Sequence, residues 1–126
     1  MRDYRTTAPD CLDLVISAID AAAARAWAPR MVEAGAVVID QSSAFRQDPT
    51  VPLVVPEANA HAAREHHGNL IANPNCTTAA AVVVLAPIRD AAGLASVDLA
   101  SYQAVSGAGR AGLDAFAAER GTDDRD

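Results

Sequence analysis

Short apolar runs alternate with longer, alanine-rich stretches along this chain. Short runs of β-branched and aliphatic residues are typical of buried strands, whereas the longer stretches have the length of helices. The pattern predicts strands over residues 12–17, 36–40 and 69–72, and helices over residues 20–34, 57–67 and 77–92. Because strands and helices alternate, we expect an α/β fold with a parallel sheet.

Glycine residues mark the expected ends of the helices. Gly35, Gly68 and Gly93 each follow a helical stretch, and glycine readily takes the left-handed conformation that ends a helix. The exception to the helical pattern is residues 82–85, because their β-branched side chains taken alone favour a strand. Beyond Gly93 we expect a further strand over 96–104, a helix over 113–120 and a polar tail over 121–126.

Composition narrows the class of protein. The chain has 126 residues, 51% hydrophobic and only 4% aromatic, which predicts a modest aliphatic core. The formal net charge of −6 argues against nucleic acid and anionic membranes as partners. No apolar run is long enough to span a bilayer, and the first residues do not resemble a secretory signal. The two cysteines lack metal-ligand spacing, so we expect a reducing, cytoplasmic location.

Candidate chemistry centres on Cys76, within the run Asn-Pro-Asn-Cys-Thr-Thr over residues 73–78. A strand-to-helix junction favours a thiolate, because the helix start offers unpaired N–H groups and the positive end of the helix dipole. The thiolate is the form that attacks carbonyl carbon. Taken alone, Cys76 is more simply a small packing residue. Two further polar motifs change that view: Gln-Ser-Ser-Ala-Phe-Arg over 41–46 and Tyr-Gln-Ala-Val-Ser-Gly-Ala-Gly over 102–109.

These motifs, in this order, resemble the aspartate-semialdehyde dehydrogenase family. Val-Ile-Asp over 38–40 and Pro-Leu-Val-Val-Pro-Glu over 52–57 add to the similarity, which runs from about Asp13 to about Phe116. The resemblance implies the C-terminal part of a Rossmann-like parallel sheet leading into the start of an α+β catalytic and dimerisation domain, and a helix over 82–85. The implied division is a partial NAD(P)-binding domain over 1–75, the start of the catalytic and dimerisation domain over 76–120, and the tail over 121–126.

For Cys76 the resemblance implies covalent catalysis. In that family the cysteine adds to L-aspartate 4-semialdehyde, a hydride passes to NADP⁺, and phosphate cleaves the thioester to give L-4-aspartyl phosphate, on the way to lysine, threonine and methionine. A soft thiolate suits both steps, because it attacks and leaves well. The implied partners are this small-molecule substrate and phosphate, with NADP as cofactor, and a homodimer or homotetramer for the full-length enzyme. Whether NADP is preferred over NAD stays open.

Other polar residues acquire roles from the same resemblance. Arg46, Ser43 and Asn75 match positions that hold phosphate or an oxyanion, for which a guanidinium fork and neutral donors are suited. Without the resemblance, a surface arginine, a turn-forming serine and a helix-capping asparagine are the simpler interpretations. The remaining matches are Gln103 for substrate binding, and Ser17, Ala18, Ser106 and Gly107 for cofactor binding.

Several positions depart from the family pattern. Ile19 and Asp20 stand where the family has small, glycine-rich residues near the cofactor, and Gln41 stands where it has asparagine; Asp20 is expected to repel cofactor phosphates. Residues 107–112 satisfy the G-x-G-x-x-G fingerprint, but that fingerprint needs a second strand with an acidic residue about 20 positions further on, and none follows here.

Histidine and the remaining cysteine give weaker signals. His61, His66 and His67 are expected on a solvated helix face, because their spacing does not suit a metal site. Cys11 and Trp27 are expected to be packing residues.

Length is the largest departure, since family members are well over twice as long and no histidine follows Cys76 to act as a general base. We therefore expect an internal fragment whose isolated chain has no significant turnover. Two alternatives stay open. One is a non-catalytic remnant that associates with a full-length homologue through the surface after Ser96. The other is a fragment of an N-acetyl-glutamyl-phosphate reductase, although Asn75 and the segment 42–46 favour the aspartate branch.

Overall fold

Three parallel strands lie at the centre of the fold. The computed structural model describes residues 12–65 and 68–123. Its strands are β1 (Leu14–Ser17), β2 (Val37–Asp40) and β3 (Leu70–Ala72), which pair side by side in the order β1-β2-β3. In the parallel register, Ser17 lies beside Asp40, and Asp40 beside Ala72. The predicted α/β class with a parallel sheet is confirmed.

Helices follow each strand, as the alternating pattern predicts. The α-helices of the described residues are α1 (Ala21–Glu33), α2 (Pro56–Glu65), α3 (Cys76–Ala92) and α4 (Gly109–Asp123), with a short 3-10 helix over Val105–Ala108. Residues 82–85 lie within α3, so the helix implied by the resemblance is confirmed there. Gly35 and Gly93 have positive φ angles of 95° and 79°, which glycine adopts readily because it lacks a Cβ.

The core lies between α1 and one face of the sheet. Ala28 and Met31 of α1 pack against Ala36 and Val38, and alanine lets the helix approach the strands closely. Partly buried side chains surround this cluster: Leu12, Val15, Trp27, Val32, Phe45 and Leu70. Trp27 therefore packs as predicted. Phe45 anchors the loop after β2 to the same core, which matters for the site described below.

Residues 93–104 contain no strand, so the strand predicted over 96–104 was wrong. A strand forms only where a neighbour pairs with its backbone N–H and C=O groups. Within the described residues the sheet consists of β1, β2 and β3. An alternating sequence pattern reports a preference for extended, half-buried backbone, and it does not supply the partner strand.

The chain divides into two compact units, with the boundary between Ala95 and Ser96. The first unit holds the sheet and α1 to α3, and the second holds the 3-10 helix and α4. Helix α4 is longer than the predicted helix over 113–120 and takes in residues 121–123; residues 124–126 lie outside the described residues. Among the helices described, none is long and apolar enough to cross a membrane.

Candidate active site

The carboxyl ends of the three strands meet at one edge of the sheet. The Gln41 N–H donates to the Ser17 carbonyl at 2.9 Å, and the Asn73 N–H donates to the Asp40 carbonyl at 2.8 Å. The segments 17–18, 40–46 and 73–76 therefore lie next to one another, and we call them the carboxyl edge. In open parallel α/β sheets, ligands bind outside the carboxyl ends of the strands.

Cys76 is the first residue of α3, immediately after the short connection from β3. Asn75 caps the helix, with its side-chain oxygen accepting from the Thr78 N–H at 2.9 Å. Pro74, just before it, is buried and fixes the path of the connection. Cys76 is exposed, so a small molecule can reach its side chain. The structure confirms the capping interpretation of Asn75, and its phosphate role stays a prediction.

Arg46 is fixed to the backbone of two neighbouring strand ends. Its Nε donates to the Asn73 carbonyl at 2.8 Å, and its Nη2 donates to the Gln41 carbonyl at 2.8 Å. The ion pairs within residues 12–65 and 68–123 do not involve this guanidinium, so its positive charge has no carboxylate against it there. The loop after β2 thus places the Arg46 guanidinium beside the segment that leads into Cys76.

The loop 41–46 is held by side chains whose roles the sequence did not reveal. The Ser42 hydroxyl donates to Asp40 Oδ2 at 2.6 Å, and it accepts from the Ala44 N–H at 3.0 Å. Asp40 is fully buried at the end of β2. Ser43 is exposed on the same loop. The signal that was available is an Asp followed two residues later by Ser, a pairing common in turns.

Of the predicted cofactor residues of the first unit, Ser17 ends β1 and Ala18 follows it. Ser17 is buried, and its hydroxyl has no hydrogen-bond partner among the described residues. Asp20 caps α1, where its Oδ1 accepts from the N–H groups of Ala22 and Ala23 at 3.0 and 2.9 Å. These N–H groups would otherwise suit a phosphate. The turn therefore fits an uncharged, hydroxyl-bearing part of a dinucleotide and does not fit its phosphates.

Gln103, Ser106 and Gly107 belong to the second unit, where all three are exposed. Gln103 lies in the segment without strand structure, and the other two lie in the 3-10 helix. Gly109 has a φ of 72°, and a Cβ on Gly112 would stand 2.5 Å from the Ala108 Cβ. Two glycines of the G-x-G-x-x-G run, Gly109 and Gly112, thus lie at the junction between the 3-10 helix and α4, and residues 93–104, before the run, form no strand.

Charged groups elsewhere in the described residues do not add to the carboxyl edge. Hydrogen bonds from the Thr50 hydroxyl and N–H hold the pKa of Asp48 below its usual value. The pKa of Asp90 is lowered by the hydrogen bond from Arg89. His61 is exposed on α2, whereas Cys11, His66 and His67 lie outside the described residues. No group of His, Cys, Asp and Glu side chains in the described part of the chain is placed to hold a metal ion.

A parallel sheet whose strands alternate with helices, with Cys76 and Arg46 at its carboxyl edge, has the architecture of a nucleotide-binding α/β domain. Two family descriptions match the sequence: "Semialdehyde dehydrogenase, NAD binding domain" over residues 1–66, and "Semialdehyde dehydrogenase, dimerisation domain" over residues 85–126. The chain belongs to the semialdehyde dehydrogenase family. Its relatives within that family are aspartate-semialdehyde dehydrogenases, which confirms the resemblance read from the motifs.

Individual relatives show how much of such an enzyme this chain resembles. An aspartate-semialdehyde dehydrogenase of Streptomyces akiyoshiensis is 52% identical over 81% of this chain and 30% of its own length. Aspartate semialdehyde dehydrogenase II of Vibrio cholerae, solved in complex with ASA, matches with a TM-score of 0.82 and 41% identity over 93% of this chain and 35% of that one.

A more distant solved relative is the Candida albicans enzyme with NADP. It matches with a TM-score of 0.58 and 30% identity over 65% of this chain and 27% of that one. The chain therefore spans about a third of the length of the relatives it matches.

Proposed function

We propose that this chain is the thiol- and phosphate-bearing part of an NADP-dependent aspartate-semialdehyde dehydrogenase. The activity is the reversible conversion of L-aspartate 4-semialdehyde and phosphate to L-4-aspartyl phosphate through a thioester on Cys76. One observation carries the proposal: the Arg46 guanidinium is bound to the Asn73 carbonyl, directly before the helix start that presents the Cys76 thiol. Within this proposal, residues 1–75 are part of the NAD(P)-binding domain, 76–120 begin the catalytic and dimerisation domain, and 121–126 are a polar tail.

Cys76 is the group that forms and breaks the covalent bond. Its thiolate adds to the aldehyde carbon, the resulting thiohemiacetal loses a hydride, and a thioester remains on sulfur. A phosphate oxygen then attacks the thioester carbonyl, the carbon–sulfur bond breaks, and the thiolate is released with the acyl phosphate. The nicotinamide, when bound, supplies the hydride acceptor. An exposed thiol at a helix start is suited to each of these bond changes.

Arg46 holds the phosphate in this proposal. Arginine has five N–H donors in a planar fork, and two of them are used on the carbonyls of Gln41 and Asn73. These bonds fix the plane of the guanidinium before any anion arrives, so less side-chain freedom is lost on binding. We assign Ser43 and Asn75 to the same phosphate or to the developing oxyanion, because both are exposed beside it on the carboxyl edge.

The remaining assignments follow the family. We assign Gln103 to the substrate, and Ser17, Ala18, Ser106 and Gly107 to the cofactor; the buried Ser17 hydroxyl suits a ribose or carboxamide group. Assembly through the dimerisation domain into a homodimer or homotetramer, and a cytoplasmic location, complete the proposal.

Acyl transfer to Cys76 tests the proposal without any cofactor. Incubated with L-4-aspartyl phosphate, the chain should acquire one aspartyl group on Cys76 and release one phosphate, as read by intact-mass and peptide mass spectrometry. Arg46→Ala should slow this acylation about tenfold or more, because a hydrogen bond to a charged group is lost. The Cys76→Ala variant, which keeps Cys11, should acquire no adduct.

Two outcomes would contradict the proposal. One is acylation that is equally fast in the Cys76→Ala variant, and the other is faster acylation by N-acetyl-glutamyl phosphate than by aspartyl phosphate. A separate expectation concerns turnover: the purified 126-residue chain should not reduce NADP⁺ in the presence of aldehyde and phosphate, as followed by absorbance.

A further inference from the structure

Asp40 is a buried carboxyl group whose presence the fold's stability does not explain. Its side chain is fully buried, Oδ2 accepts from Ser42, and Oδ1 has no hydrogen-bond partner among the described residues. A buried polar oxygen without a partner is destabilising. Val38, two residues earlier and on the same face of β2, is an apolar residue in the same core. An apolar side chain at position 40 would therefore destabilise the fold less than the aspartate does.

Hydrogen bonds connect Asp40 to Arg46 from two directions. Through its side chain, Asp40 binds the Ser42 hydroxyl, which in turn binds the Ala44 N–H in the middle of the loop 41–46. Through its main chain, the Asp40 carbonyl accepts from the Asn73 N–H at 2.8 Å. The Asn73 carbonyl is one of the two acceptors of the Arg46 guanidinium. Asp40 thus contacts both the loop that carries Arg46 and the segment that Arg46 binds.

We propose that Asp40 is a positioning residue, which acts through the Ser42 hydroxyl to hold Arg46 on the carbonyls of residues 41 and 73. Phe45 also holds the loop, because its ring packs in the core, but packing in an apolar cluster does not fix the direction of the residues that follow. The hydrogen-bonded serine fixes the turn between Asp40 and Ala44, and so sets where the next residues place the guanidinium. The effect on phosphate affinity rests on the proposed function; the effect on the arginine itself does not.

A second Asp-to-hydroxyl pair in this chain provides a matched control. Asp48 Oδ1 accepts from the Thr50 hydroxyl at 2.6 Å and from the Thr50 N–H at 2.8 Å. The spacing along the chain is the same as for Asp40 and Ser42, but this pair is exposed, and its side-chain hydrogen bonds join Asp48 to Thr50 and not to Arg46 or its acceptors. Thr50→Ala therefore removes a comparable hydrogen bond outside the carboxyl edge.

The test is hydrogen exchange at the Arg46 Nε–H and the Ala44 N–H, measured by NMR on the full chain. Ser42→Ala should speed exchange at both groups about tenfold more than at the other amides, the effect of losing one hydrogen bond. The denaturation midpoint should fall, because the buried Asp40 Oδ2 loses its partner. Ser42→Thr, which keeps a hydroxyl, should restore slow exchange. Asp40→Asn keeps an acceptor oxygen, so the Arg46 Nε–H and the Ala44 N–H should exchange more slowly in this variant than in Asp40→Ala. Thr50→Ala should leave both groups unchanged.

Titration with inorganic phosphate, followed on the same Arg46 signal, tests the phosphate role of Arg46 separately from the positioning role of Asp40. In the parent we expect saturable shifts, and in Ser42→Ala a dissociation constant about tenfold higher. If the parent shows no saturable shift, the phosphate role of Arg46 fails while the exchange data still decide the role of Asp40. The positioning role is overturned if Ser42→Ala leaves Arg46 exchange unchanged, or if Thr50→Ala speeds it equally. Should Asp40→Ala not fold, the two Ser42 variants decide the question alone.

Discussion

Asn59 closes the turn that leads into α2. Its Oδ1 accepts from the Val55 N–H at 2.8 Å, its Nδ2 donates to the Leu53 carbonyl at 2.9 Å, and its own backbone is non-helical within the helix (φ −150°, ψ 40°). Asn59→Ala removes both bonds and leaves the N–H of the buried Val55 without a partner. We expect a loss of about 1–3 kcal/mol in the free energy of unfolding, measured by urea denaturation.

Two variants sharpen the Asn59 measurement. Asn59→Asp keeps the acceptor for Val55 and loses the donor to Leu53, so its loss should be smaller than that of Asn59→Ala. Asn69→Ala removes the same type of side chain with a single long hydrogen bond of 3.5 Å to the Gly35 carbonyl, and it should change stability little. Equal losses of stability at positions 59 and 69 would show that the two side-chain hydrogen bonds of Asn59 make no specific contribution.

Single residues differ in how far the sequence reveals their roles. The positions of Cys76 and Asn75 at the start of α3 were predictable, because helix starts have a local signature of capping residues. Asp40, Ser42 and Asn59 were not assigned roles, because their function depends on backbone groups that the fold brings near them. Arg46 is intermediate: the motif marks it, but its two acceptors, at residues 41 and 73, are known only from the sheet.

Among the elements, the join between the 3-10 helix and α4 depends on Gly112. Gly-to-Ala changes inside helices usually stabilise them, by about 1 kcal/mol. Here the added Cβ would stand 2.5 Å from the Ala108 Cβ, so we expect the opposite sign, with a loss of about 1–3 kcal/mol from overpacking. Far-UV circular dichroism and the amide signals of residues 105–112 would report the change.

Gly107→Ala is the internal comparison for Gly112→Ala. A Cβ at position 107 meets no atom within 4 Å, and Gly107 is not among the glycines with positive φ. Its helix signal should therefore match that of the parent. If both variants behave alike, the close approach at Gly112 is not what holds the two helices together.

Elements were predicted best where the sequence carries both an apolar run and a stop signal. The ends of α1 and α3 fall at Gly35 and Gly93, whose positive φ angles follow from the absence of a Cβ. Residues 82–85 were ambiguous by propensity, and the helix forms because α3 continues through them from its Asn75 cap. The segment 96–104 failed because strand formation requires a partner that a local pattern does not contain.

At the scale of the whole molecule, β1 leaves an apolar surface exposed. It is an edge strand of the described sheet, and Leu14 and Ile16 are 56% and 62% exposed. Unpaired backbone groups next to exposed apolar side chains favour edge-to-edge association. We expect the chain to self-associate as its concentration rises, and Ile16→Lys to reduce the average mass measured by light scattering.

Val84→Lys tests whether the strand edge itself matters. Val84 is 61% exposed on α3, so this change adds the same charge and removes a similar apolar area away from the sheet. A smaller effect than that of Ile16→Lys is expected. If the two substitutions reduce the mass equally, general surface hydrophobicity drives association and the edge of β1 has no special part in it.

Because Arg46 binds carbonyl oxygens, its location is encoded by the path of the backbone and is insensitive to the side chains at its contact points. Every amino acid carries the acceptor that Gln41 and Asn73 provide. Substitutions at positions 41 and 73 can therefore change the side chains of the carboxyl edge without moving the Arg46 guanidinium. A substitution at Gln41 keeps the carbonyl that Arg46 binds, whereas a substitution at Ser42 can remove the hydroxyl that binds Asp40.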